Sequence, residues 1–328
     1  MDRDDRAKPE LPSAPRRATS TDVARAAGVS RATVSYVLNG KTDRGISEAT
    51  WEHVLQTADR LGHVPHAPAR ALRSGHSDLV LVIVQSYSEG YLTAKLFEAL
   101  DAALAERNYG LFLHHSAGDG HQIRRLWSLM APTLVVATEG VAPRDKEIIA
   151  NAGVPFIDLE GVISHLQIGR TQAELVISRG YARLGFAYPE DRSLEAFASQ
   201  RLAGVTQACR AAGLPDPIVR MVSFSPQSAQ AAIQNWLAAG VDAVCAHNDD
   251  IGITLLGAVR TLGLQAPQDI AIIGIDNIPM AEIGLTTIAI DIDSIAEAVV
   301  HRVLSALDGH PQREVVHDYL RPVLRTSL

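Results

Sequence analysis

The 328-residue sequence contains only two cysteines, Cys209 and Cys245. Neither belongs to a Cys-x-x-Cys pair, so the spacing supports neither a zinc site nor a disulfide framework, and both read as small buried hydrophobes. Long apolar runs are also missing. The longest, Leu79 to Val84 and Ile270 to Ile275, fall far short of the roughly 20 residues that a membrane-spanning helix needs. The opening stretch, MDRDDRAKPELPSAPRRATS, is charged and proline-bearing and has no apolar leader core, so a cytoplasmic location is expected. Catalytic signatures are absent as well: there is no nucleophile elbow, no phosphate-cradling glycine loop and no His-x-x-x-His metal pair. A non-enzyme without a cofactor is expected.

Charge is present, and it is unevenly divided. Residues 1–77 hold 12 Lys and Arg against 9 Asp and Glu, a net of +3, whereas the remainder holds 18 against 28, a net of −10. A surplus this small does not by itself mark a nucleic-acid surface. The pattern at residues 19–40, TSTDVARAAGVSRATVSYVLNG, is more specific, because it reads as two short helices around a tight turn. Thr19 with Asp22 forms a capping box, Val23, Ala26 and Ala27 give an apolar stripe, and Gly28 ends the first helix. Ser30 caps a second helix whose Val34, Val37 and Leu38 face inward, leaving Arg31, Ala32, Thr33, Ser35 and Tyr36 outward. Ser47 caps a third helix with Trp51, Val54, Leu55, Ala58 and Leu61 on one stripe. In a helix-turn-helix the second helix enters the major groove. Arg31 then suits a bidentate contact to guanine, Ala32 a thymine methyl and Tyr36 a contact through its ring and hydroxyl.

From Leu79 onward, short apolar strands alternate with amphipathic helices in two series, the second opening with a helix at Thr171. That alternation predicts parallel sheets covered by helices, arranged as two similar subdomains with a cleft at the strand ends. Gln85 and Tyr87, Asp158, Asn248 and Asp276 are polar residues at those ends.

The run TDVARAAGVSRATVSYVLNG, the following GISEAT and the segment VPHAPARALRSG together resemble the headpiece and hinge of the lactose/galactose repressor family. The resemblance continues through RLAGV, HNDDIGI, IIGIDNIPMAEIGLTTI and YLRPVLRTSL. It implies an all-α helix-turn-helix headpiece with a hinge helix, followed by an α/β effector domain of two subdomains, like periplasmic binding proteins. The implied boundaries are a disordered arm at 1–17, a headpiece at 18–64, a hinge at 65–77 and an effector and dimerisation domain at 78–328. The effector domain would divide into an N-subdomain of about 78–168 and 292–316 and a C-subdomain of about 169–291 and 317–328.

The resemblance also implies roles. Thr19, Thr21, Ser30, Arg31, Ala32, Thr33, Ser35, Tyr36 and Asn39 would meet DNA, as would Ala69, Arg70, Leu72 and Arg73 of the hinge, with Leu72 as a minor-groove wedge. Gln85, Tyr87, Asp158, Arg201, Asn248 and Asp276 would meet an effector. The implied partners are palindromic operator DNA in the nucleoid, a sugar or sugar derivative, and a second copy of the chain. His66, Pro68 and Tyr36 depart from the usual family pattern, and Arg170 stands in a crossover segment where it faces either the cleft, favouring an anionic ligand, or solvent. Whether the effector acts as inducer or corepressor, and whether the protein represses or activates, is open at this level. A solute-binding protein with the same cleft is the remaining rival, opposed by residues 19–75.

Overall fold

The Thr19 hydroxyl accepts from the Asp22 amide at 3.3 Å while the Asp22 carboxylate accepts from the Thr19 amide at 2.9 Å, so α1 (Ser20–Ala27) opens on a complete capping box. Gly28 closes it at φ 66°, a left-handed conformation that costs glycine nothing. In this computed structural model, residues 18–38, 45–63, 77–84, 90–116, 121–138, 141–310 and 319–328 are described. Asn39, Ala69, Arg70, Leu72, Arg73, Gln85 and Tyr87 lie outside them, as does nearly all of the expected hinge. The chain divides into two units, residues 1–75 and 76–328.

In the first unit, Ser30 caps α2 (Arg31–Leu38) by accepting from the Thr33 amide, and Ser47 caps α3 (Glu48–Arg60) by accepting from the Thr50 amide. Val23, Ala24, Ala27, Val34, Val37, Val54 and Ala58 form its core, with Trp51 packed against them. Two details differ from expectation. Ala24, not Ala26, completes the α1 stripe, and in α3 Thr57 is buried while Leu55 and Leu61 are exposed. Three helices this short cover one another over only part of a turn, so the flanks of each apolar stripe remain outside. The His63 imidazole closes the unit by donating through Nδ1 to the Ala18 carbonyl at 2.8 Å.

The second unit holds two sheets. The first has the order β2 (Gly110–His115), β1 (Leu79–Val84), β3 (Leu134–Ala137), β4 (Phe156–Asp158), all parallel. Helices α4 (Tyr91–Ala105), α5 (His121–Leu129) and α6 (Pro143–Asn151) connect them. β1 is apolar at every position because both faces are covered. Val80 and Val82 meet Leu100 and Leu104 on one side, and Leu81 and Ile83 meet Ile123 and Ile149 on the other.

The second sheet has the order β10 (Leu320–Val323), β9 (Thr286–Ile290), β8 (Ala271–Ile275), β7 (Ala243–Ala246), β5 (Leu184–Pro189), β6 (Ile218–Val222), with only β10 antiparallel. Its helices are α7 (His165–Ser178), α8 (Glu195–Ala211), α9 (Pro226–Ala238) and α10 (Asp249–Thr261), while α11 (Ile292–Leu307) packs against α4.

Sequence pattern alone missed β6, α9, β9, α11 and β10 as elements. The strands have physical reasons to be obscure. β10 carries Pro322, tolerated because the strand lies at an edge. β9 buries Thr286 and Thr287 completely, so its hydrophobic signal is weak. α7 begins at His165, six residues before the expected start at Thr171, because Ser164 caps it by accepting from the Gln167 amide. Cys209 and Cys245 are both buried and free. No helix among the described residues is long and apolar enough to cross a membrane.

Candidate functional site

On α2, Arg31 and Ala32 are exposed, while Thr33, Ser35 and Tyr36 are half-buried along the same outward side of the helix. Thr21 is exposed, and the Thr19 and Ser30 hydroxyls are already committed to helix caps. An exposed guanidinium in the first turn of a rigidly capped helix is what base-edge reading requires.

The second unit contains a cavity of about 170 Å³. Val84 of β1, Thr138 after β3 and Leu159 after β4 approach it from one sheet, and His247 and Asn248 after β7 and Asp276 after β8 from the other. The carboxyl ends of two parallel sheets thus converge on one volume, the usual ligand position in α/β proteins.

A close helix crossing sets the polar wall. A Cβ on Gly169 of α7 would stand against the Arg201 carbonyl, and one on Gly204 of α8 against the Leu166 carbonyl, so these helices touch backbone to backbone. The crossing brings His165 and Arg201 together. Arg201 is buried at 6% exposure. Its Nε donates to His165 Nδ1 at 3.2 Å, its Nη1 donates to the His247 carbonyl at 2.5 Å, and its Nη2 lies 3.9 Å from Asp276 Oδ1. His165 stacks on Phe197, one turn before Arg201, with ring centroids 4.5 Å apart. One turn beyond Gly169, the buried Gln172 amide donates to the carbonyls of Ala246, Ile273 and Gly274. That anchors α7 to the two strand ends from which His247 and Asp276 project.

Asp276 is the strained member. Its φ is 106°, in the region that favours glycine, an arrangement that costs about 1–3 kcal/mol and persists where surrounding structure enforces it. Burial pushes its carboxyl up to about 6, with Arg201 pulling it down and Asp250 pushing it up. Its Oδ1 is buried without a hydrogen-bond partner. An orphan acceptor of this kind is costly unless a ligand donor meets it. Burial holds the His247 imidazole well below its ordinary value, with Arg201 and His165 acting in the same direction, so it is neutral.

Behind this wall, Asp249 accepts from the Thr287 hydroxyl at 2.6 Å and the Ile278 amide at 2.9 Å. Burial raises its carboxyl to about 7; Asp276 adds to the rise, and Thr287, Ile278 and Arg325 oppose it. A carboxyl raised in the folded state favours folding fully below its unfolded value near 3.8, and that contribution is lost as pH climbs through about 7. Asp249→Asn is therefore expected to flatten the fall in stability of the second unit between about pH 4 and 7, with Asp276 leaving a residual slope. Urea midpoints measured across that range check it; an unchanged slope would show that the Asp249 carboxyl does not titrate there.

Of the expected effector residues, the structure brings Arg201, Asn248 and Asp276 together at the cavity. Asn248 also caps α10, accepting from the Ile251 amide at 3.1 Å. Asp158 is not among the lining residues: its carboxylate pairs with Lys146 at 2.8 Å and accepts from the Glu160 amide. Arg170 is about half exposed and pairs with Glu174 one turn on, so it faces solvent. Sequence reading missed His165, His247, Phe197 and Gln172. For His247 a signal existed, since it directly precedes Asn248 at a strand end.

Comparison with known proteins agrees with both halves. Residues 19–66 match the model for bacterial regulatory proteins of the lacI family, and residues 173–328 match a periplasmic binding protein-like domain. The HTH-type transcriptional regulator CelR of Thermobifida fusca is 30% identical over 295 residues, covering 81% of this chain and 84% of that protein. The HTH-type transcriptional repressor PurR of Klebsiella pneumoniae (strain 342) is 30% identical over 314 residues, covering 88% and 90%. Among solved structures, a complex of the transcriptional regulator CelR with cellobiose aligns with a TM-score of 0.63 at 25% identity, covering 95% of this chain and all of that one. The lac repressor dimer bound to operator and the anti-inducer ONPF aligns at 0.78 and 22% identity, covering 95% and 99%, a likeness of fold. With a three-helix DNA-reading unit, a two-sheet unit holding a cavity, and relatives of this identity and coverage, the chain belongs to the lacI family of bacterial regulatory proteins.

Proposed function

We propose that this regulator is a homodimeric repressor that reads a palindromic operator through α2 and releases or grips it according to a small effector held by Arg201, Asn248 and Asp276. The observation that carries this reading is the buried Arg201–Asp276 pair, whose Asp276 Oδ1 lacks a partner where two sets of strand ends converge. The relatives support binding without chemistry, since CelR and PurR are transcriptional regulators. Related regulators suggest the effector's class: CelR has been solved with cellobiose, so a sugar or sugar derivative is the natural candidate. Acting on DNA, the protein would work in the cytoplasm at the nucleoid.

Coupling between the sites follows from linkage. An effector shifts operator affinity only by its different affinity for the two states, and operator must shift effector affinity by the same factor. Two-fold symmetry in the protein would be mirrored in the operator half-sites.

The test is operator selection with the full-length protein. Arg31→Ala is expected to relax choice at one base pair per half-site, by roughly 1–3 kcal/mol, while effector response is retained. Selection from a randomised DNA pool, read by sequencing with and without effector, measures it. A uniform loss on every sequence would assign Arg31 to phosphate and defeat the base-reading role.

A further inference from the structure

The described cavity wall is uneven in chemistry. One end carries Arg201, His165, His247, Asn248 and Asp276, and the rest is mostly hydrocarbon, interrupted by Thr93 and by Thr138, whose hydroxyl already donates to the Ile83 carbonyl. Leu92, Leu96 and Phe97 of α4 and Ile163 line it while remaining only partly buried against the core, and Ile295 and Val299 of α11, the helix packed against α4, line it as well. Leu92 and Leu96 stand one helical turn apart, as do Ile295 and Val299, so each helix presents a stripe rather than an isolated residue. Phe197, stacked on His165, adds an aromatic face beside the polar end.

The polar end does not suit an anion. Arg201 and Asp276 are the described lining residues with formal charge, and they oppose each other. Nε and Nη1 of Arg201 are engaged by His165 and His247. His165 accepts at Nδ1. Arg170, which could have added a positive charge, is held at the surface by Glu174. An anionic ligand would lose its hydration and meet a wall of no net positive charge, beside a carboxylate oxygen that needs a donor.

Resting on the reading of this cavity as the effector site, we infer that the effector is an uncharged, amphipathic hydroxylated compound. Its hydroxyl donates to Asp276 Oδ1, and an apolar ring or ring-sized substituent lies against the apolar stripes of α4 and α11. A fully hydroxylated ring would bury hydroxyls against Leu96, Phe97 and Ile295, where the side chains offer no partner, so among sugars and their derivatives the wall favours a derivative bearing an apolar group. A carboxylated or phosphorylated ring would place its charge against Asp276.

Three six-membered rings test this on the full-length protein: cyclohexanol, myo-inositol and cyclohexanecarboxylate, with dissociation constants taken from ligand-observed saturation-transfer titrations. Cyclohexanol is expected to bind at least roughly tenfold more tightly than either of the others, a gap of about 1.4 kcal/mol. Phe97→Asn and Asp276→Asn are each expected to weaken it by a similar factor. Preference for myo-inositol or for the carboxylate, lost in those two variants, would overturn the amphipathic effector and leave the cavity as the binding site. Binding of any ring that both variants leave untouched would overturn the cavity reading itself. No saturable binding of cyclohexanol would also overturn the proposal.

Discussion

Arg201→Met is expected to destabilise the second unit by roughly 3–5 kcal/mol, the range observed when one partner of a buried ion pair is removed. Methionine matches much of the volume, so the loss is not mainly a cavity effect. What remains is a set of stranded groups: the His247 carbonyl, His165 Nδ1 and the Asp276 carboxyl each lose the guanidinium they face. For a unit of this size each kcal/mol moves the unfolding midpoint by roughly 2–4 °C, so calorimetry resolves the change easily. A purely structural arginine would move stability alone. Because Arg201 also pulls the Asp276 carboxyl down, its removal should raise that titration above about 6, shifting the pH dependence of effector binding upward. Arg170→Met is the control: an exposed pair with Glu174 should change stability by less than about 0.5 kcal/mol. Equal effects from the two variants would mean that the buried network contributes nothing special.

Gly204→Ala is expected to be the second large effect, and two opposing contributions decide its sign. Alanine is favoured over glycine in a helix interior by about 1 kcal/mol. Against that, its methyl group would stand on the Leu166 carbonyl and the Arg170 amide, which belong to the backbone of the facing helix and have no rotamer to yield. Overpacking costs roughly 1–3 kcal/mol where side chains can adjust, and a backbone contact belongs at the upper end or beyond. The net expectation is a loss of roughly 2 kcal/mol or more. It should come with weakened effector binding, because parting α7 from α8 separates His165 from Arg201. Gly169→Ala, which meets the Arg201 carbonyl from the other side, should do the same. If either variant kept the parental midpoint, the helices would be free to separate and the crossing could not be what positions the polar wall.

Residues close together in the chain were the ones that sequence could resolve. The capping box of Thr19 and Asp22, the caps at Ser30 and Ser47, the glycine stop at Gly28 and the doubly buried β1 all depend on partners within a few positions or on a short periodic pattern. The same holds for the strand-end position of Asp276 and for the presence of two sheet-building series. The faces of α1 and α3 were less legible, as Ala24 and Thr57 show, because the width of a buried stripe depends on the helices packed across it.

The polar wall of the cavity lay further from view. His165 meets Arg201 across 36 positions, and Gln172 reaches Ala246 across 74 and Gly274 across 102. Nothing local distinguishes these side chains from polar residues on any helix surface. Long-range packing supplied the distinction: two glycines let α7 and α8 touch, the touch buried an arginine, and burial left a carboxylate oxygen in need of a donor. By itself, then, the sequence determined the family and those elements whose caps and periodicity are local, including the helix pair expected to read DNA. Only the tertiary structure decided which polar groups share a cavity, because desolvation and hydrogen-bond pairing are properties of the packed chain.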